Sequence, residues 1–116
     1  MIRIRHKTIL TIIGIGLACV SAQAQSGKKV FETYCWGCHH QTAVAFGPPF
    51  SQIAAKRTPD EIRAMITDPF NVSKVLGYKR NAMPSFQLKP QELDAITAYI
   101  MSYKPVQEQE QKEEKQ

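Results

Sequence analysis

Residues 35–39 read Cys35-Trp36-Gly37-Cys38-His39: two thiols three positions apart, followed at once by an imidazole. On one helical turn, residues three apart share a face. Both thiols can then reach the two vinyl groups along one edge of a porphyrin, while the next side chain, His39, lies under the ring. The spacing C-x-x-C-H is the attachment signature for c-type haem. Thioethers from Cys35 and Cys38 prevent loss of the group, and the imidazole of His39 supplies the proximal ligand to iron.

Three other uses of a cysteine pair stand beside this one. A structural disulfide needs no His after its second Cys. A redox dithiol of the thioredoxin type sits beside a βαβ pattern, which the chain lacks. A zinc site needs a second pair of ligands, and beyond His40 there is neither Cys nor His. His40 itself cannot aim at the axial position that His39 takes on the same turn, so it is expected to face solvent or a propionate.

The opposite axial ligand follows by elimination. His6 lies in an N-terminal segment with the pattern of a removed export signal, so a bis-His iron built from this chain alone is excluded. Soft sulfur ligands remain at Met65, Met83 and Met101. Met65 falls on the apolar stripe Ile62, Met65, Ile66 of a predicted helix, and Met101 lies inside a predicted C-terminal helix; both positions suit packing. Met83 sits in Asn81-Ala82-Met83-Pro84-Ser85-Phe86, where Pro84 pushes the preceding backbone toward extended geometry. A loop methionine of this kind can hold its sulfur toward the iron, and Met83 is the expected distal ligand.

Upstream, Arg3, Arg5 and Lys7 precede a low-polarity run of about 13 residues, Thr8 to Val20, and then Ala22-Gln23-Ala24. A positive start, a short apolar run and a small-x-small site form a secretory signal. The run falls short of the roughly 20 residues that span a bilayer. Residues 1–24 are therefore read as a cleaved signal peptide and the mature chain as periplasmic. Removing three cations takes the formal +5 down to +2. Cys19 is read as part of the discarded signal; a lipidated N-terminus at Cys19, which would tether the protein to a membrane, is the alternative.

Downstream, Gln107 to Gln116 contains only Gln, Glu and Lys. With no apolar side chain in 107–116 to offset the ordering entropy, residues 106–116 are read as a disordered polar tail. The folded domain is then 25–105, in a chain of 116 residues with 43% apolar and 22% charged side chains. A core of that size is marginal unless a disulfide, metal or cofactor staples it.

The rest of the domain reads as helix without a convincing strand. Val30, Phe31 and Tyr34 mark an N-terminal helix running into the cysteine motif. Thr58-Pro59-Asp60-Glu61 is a helix start, with Thr58 as N-cap, Pro59 at the first helical position and Glu61 completing a capping box; that helix is expected to end by Pro69. A short turn at Phe50, Ile53 and Ala54 precedes it. Pro90 opens a last helix in which Leu93, Ile96, Ile100 and Tyr103 recur up to Pro105.

Across residues 26–104 these features resemble the small bacterial class I cytochromes c. Gly27-Lys28-Lys29-Val30-Phe31 is similar to that family's N-terminal helix, where a Gly permits close crossing of the C-terminal helix, and Ile96-Thr97-Ala98-Tyr99-Ile100 resembles the partner helix. Gly47-Pro48-Pro49-Phe50 is similar to the family's Gly-Pro loop; the resemblance implies that the carbonyl of Pro48 accepts the ring N–H of His39. It also implies an all-α cytochrome c fold, three to five helices around one covalently attached haem. Ile66-Thr67-Asp68-Pro69, Met83-Pro84-Ser85-Phe86 and the terminal helix together resemble monohaem subunits of periplasmic oxidoreductases, sulfur-oxidising complexes included.

With His39 and Met83 both on the iron, the expected role is one-electron transfer between periplasmic redox proteins, not enzymic bond making. Two alternatives stand: a fixed haem subunit of a larger oxidoreductase, and a haem sensor or gas-binding protein with Met83 unbound. Lys28, Lys29, Lys56, Arg57, Lys74, Lys79, Arg80 and Lys89 could form a positive rim for acidic partners, or simply a solvated surface. Export and the small net charge disfavour nucleic acid.

Overall fold

Residues 26–105 are the part of the chain that the computed structural model describes; they form helices, and no strand occurs among them. The signal segment 1–24 with Cys19, and the tail 106–116, lie outside the described residues. Helix α1 covers residues 26–35, its second half a π-helical turn, Phe31–Cys35. There the amide of Trp36 reaches back five residues to the carbonyl of Phe31 at 2.9 Å. Then follow α2 (Phe50–Lys56), α3 (Pro59–Thr67), α4 (Pro69–Val75) and α5 (Pro90–Met101).

Local chemistry explains the boundaries. At the start of α3, the Thr58 hydroxyl accepts from the Glu61 amide at 3.2 Å and the Glu61 carboxylate accepts from the Thr58 amide at 2.8 Å, the reciprocal cap expected from the sequence. That amide holds the Glu61 carboxyl below its usual range. Pro69, expected only to stop a helix, also begins one. Helix α3 ends at Thr67, and Pro69 takes the first turn of α4, where its missing N–H costs nothing, while Asp68 caps Asn71 at 3.3 Å. The turn expected at Phe50 is a full helix. Helix α5 stops at Met101, earlier than Pro105, because Ser102 to Lys104 close it with tighter turns.

Helices α1, α2, α3 and α5 meet at the core. Ile96 of α5 is wholly buried, as are Phe50 and Ala54 of α2, Phe31 of α1, and Ile62 and Ile66 of α3 to within a few per cent. Helices α1 and α5 cross at Gly27, where an added Cβ would lie 2.7 Å from the Cβ of Tyr99 and collide with the carbonyl of Ala95. Phe31 then packs edge-on against Phe50, ring centres 5.1 Å apart. Residues 80–89 run without helix along the open side of this cluster, and Met83, Phe86 and Leu88 pack against it half-buried. Among the described residues no helix is long and apolar enough to cross a membrane.

Candidate haem site

The helices leave a cavity of about 820 Å³ between them, within the range that encloses a cofactor. Its wall is largely apolar, with Ile53, Ile62, Met65, Ile66, Leu76 and Phe86 contributing, and it is bordered by Cys35, Cys38, His39, Pro48 and Met83. The five residues singled out in the sequence thus come from three separate stretches to one space.

The motif arrives at the cavity from the end of α1. The amide of Cys38 bonds the carbonyl of Cys35 at 3.1 Å and that of His39 bonds the same carbonyl at 2.9 Å, so the two thiols and the imidazole follow one another on a tight turn. Both cysteines are free of disulfide. Burial, and then the neighbouring Cys38, push the Cys35 thiol up to about 11. A redox dithiol works through a lowered thiol, so this environment does not suit that alternative. Nor do three His, Cys, Asp or Glu side chains gather anywhere among the described residues as a zinc site would require.

His39 is held from its far side. Its Nδ1 lies 2.8 Å from the carbonyl oxygen of Pro48. A carbonyl only accepts, so Nδ1 carries the proton and Nε2 keeps its lone pair for a metal. Phe50 stacks on the ring at 5.8 Å between centres, tilted 30°. The loop that carries Pro48 is tied back to the motif by the amide of Gly47, 2.7 Å from the carbonyl of Cys38. Gly47 must lack a side chain, since a Cβ there would come within 2.6 Å of the Cε1 of His39. His40 is exposed and does not border the cavity; its Nδ1 accepts from the amides of Thr42 and Ala43 at 3.2 and 3.1 Å, which shapes the loop toward Gly47.

Met83 comes to the cavity on the strap 80–89. The strap hangs from the end of α3: the amide of Phe86 bonds the carbonyl of Ile66 at 3.0 Å and the hydroxyl of Ser85 bonds the carbonyl of Thr67 at 2.5 Å. These are carbonyls that a helix end leaves without partners of its own. Met65, read from the sequence as a packing residue, also borders the cavity, from α3, whereas Met101 does not.

Two features escaped the sequence. Arg57 and Arg80, read from the sequence as part of a positive rim, both border the cavity, but the sequence does not foretell the pairing of Arg57 with Tyr78: its guanidinium donates to the Tyr78 hydroxyl at 3.1 Å with its carbon 5.2 Å from the centre of that ring. Asn81 holds Met83 with both ends of its amide. A signal for the second existed, since Asn two residues before a fixed backbone position is a turn former; nothing local announced the first.

The donor set fits a haem. Two free thiols, an imidazole with Nε2 available and a thioether border one apolar space, and arginines beside it suit the two carboxylates of the porphyrin.

The sequence pattern of the family described as cytochrome c matches residues 24–104. Among solved structures, a cytochrome c from Rhodothermus marinus is similar in fold, with 23% identity over 83% of this chain and 89% of that chain and a TM-score of 0.61. An engineered cytochrome c from the same organism, bound to a carbene intermediate, aligns at 24% identity over 83% and 89% with a TM-score of 0.58. No curated protein matches the chain.

Proposed function

Since the chain belongs to the cytochrome c family, we propose that it is a periplasmic one-electron shuttle whose iron is held by His39 and Met83. Membership gives covalently attached haem c as the cofactor, haem-based electron transfer as the activity, and redox proteins as partners. Bound in the cavity, the haem supplies a one-electron couple.

The chain's own residues shape that couple. Cys35 and Cys38 anchor the group by thioethers. Pro48 fixes the tautomer of His39 and, by accepting its N–H, makes Nε2 a stronger donor. The sulfur of Met83 favours the reduced metal, and the apolar wall of Ile53, Ile62 and Ile66 penalises the extra charge of the oxidised one; both raise the potential. His39 and Met83 would hold the iron together and leave no open site on it for a substrate, which suits electron transfer rather than bond making. The export signal read in residues 1–24 puts the shuttle in the periplasm, where basic side chains such as Lys74, Lys79 and Arg80 favour acidic partners. Such docking weakens as salt is added, because exposed charges are screened beyond about 8 Å at physiological ionic strength.

The observation that carries this reading is the His39–Pro48 contact at 2.8 Å, which leaves one nitrogen free beside a cavity that a thioether also borders. Met83→Ala is expected to abolish the far-red sulfur-to-iron band of the ferric protein and to lower the potential, with haem still covalently attached. An unchanged spectrum in Met83→Ala, with the band lost instead in Met65→Ala, would move the assignment to α3. Intact mass of the mature protein reports cleavage before Gln25, lipid on Cys19 and the covalent haem in one measurement.

A further inference from the structure

The geometry points to Asn81 as a positioning residue that sets how firmly Met83 holds the iron. The inference rests on Met83 being the distal ligand. The amide oxygen of Asn81 accepts from the backbone N–H of Met83 at 3.1 Å, and its amide nitrogen donates to the backbone carbonyl of Met83 at 3.1 Å. One side chain therefore satisfies both polar groups of the same residue two positions on, as a neighbouring strand would. Asparagine is suited to this because it carries an acceptor and a donor on one planar group. A serine has only a hydroxyl, which makes the turn to the amide more weakly, and an alanine offers neither contact.

The clamp matters because of where it lies. Residues 80–89 form no helix, so no ladder of backbone bonds fixes the main chain at Met83. Downstream, Pro84 restricts the backbone and Ser85 and Phe86 tie the strap to α3. Upstream, Lys79 and Arg80 are exposed, as is Ala82, and Asn81 supplies the matching restraint on that side. Without it, the main chain at Met83 can rotate about its upstream bonds and carry the sulfur away from the cavity. Asn81 acts on the iron only through the backbone of Met83.

Because the sulfur must leave before another ligand enters, an external ligand reads the clamp directly. Added imidazole competes with Met83 for the ferric iron, and its apparent affinity rises by the factor by which the closed arrangement is weakened. One hydrogen bond of ordinary strength corresponds to about fivefold and two to about thirtyfold. Asn81→Ala is therefore expected to bind imidazole about thirtyfold more tightly than wild type, and Asn81→Ser, which restores the turn to the amide, about fivefold. Hydrogen exchange at the Met83 amide should quicken in Asn81→Ala and recover partly in Asn81→Ser, with the far-ultraviolet spectrum unchanged. If the sulfur-to-iron band is present in wild type and absent from Met83→Ala, yet imidazole affinity in Asn81→Ala equals that of wild type, the clamp is overturned and the ligand assignment stands. A wild-type protein without the band overturns the ligand assignment, and the clamp's role in ligation with it.

Discussion

Gly47 shows how much one missing carbon can decide. An alanine there would place its Cβ 2.6 Å from Cε1 and 2.9 Å from Nδ1 of His39, and the ring cannot retreat freely because Phe50 backs it. Gly47→Ala is expected to cost about 1–3 kcal/mol in denaturant unfolding, the usual range for overpacking. By stretching the bond from His39 to Pro48 it should also weaken donation from Nε2 and raise the potential, opposite in sign to Met83→Ala. Potentiometry of the two variants separates the sides of the site. Tyr103 offers a pH test. Loss of solvent, and then the hydrogen bond to the Tyr99 hydroxyl at 2.9 Å, push its phenol up to about 12. The native state thus favours the neutral phenol: that contribution is complete below about pH 10, the ordinary phenol range, and disappears as pH climbs toward 12. The unfolding midpoint should fall across that interval in wild type and fall less in Tyr103→Phe. At this scale the sequence is most legible where function fixes spacing. Cys35, Cys38 and His39 lie within five positions, as the proposed attachment and ligation of one haem from a single turn require, whereas the pairing of Arg57 with Tyr78 spans 21 positions and depends on how α4 folds back.

Capping chemistry makes helix α3 legible in the amino-acid sequence. Thr58 and Glu61 bond each other reciprocally, and Thr58→Ala is expected to lower stability by about 0.5–2 kcal/mol, seen as a lower thermal midpoint without change in the haem spectrum. The same style of reasoning fails one element later. A proline ends one helix and opens the next with equal ease, so Pro69 alone cannot reveal α4; Asp68 with Asn71 is the cue. The π turn of α1 is beyond reach for a different reason. One extra residue in a turn shifts the apolar stripe by about 100°, which over a helix this short cannot be told from an irregular pattern.

The molecule as a whole is built around its cofactor. A domain this small buries little apolar surface by itself, and half-buried apolar side chains lining its cavity, Ile53 and Leu76 among them, are fully covered only when the haem fills it. A Cys35→Ala/Cys38→Ala chain that never acquires haem is therefore expected to lose near-ultraviolet circular dichroism and bind a hydrophobic dye while keeping some helix. Retention of fixed tertiary structure in that chain would contradict a fold that depends on its haem. Composition already hints at the dependence, since so small a domain has no second staple in sight.

The strap's suspension from α3 has one more outcome. Ile66 and Thr67 offer the carbonyls that support it, and helix tips are the places where thermal fraying begins. The opposite flank is stitched to the chain by covalent bonds that warming leaves intact. With Met83 on the iron as proposed, a heated sample should therefore change hue in two stages, first as the sulfur lets go and only later as the scaffold melts.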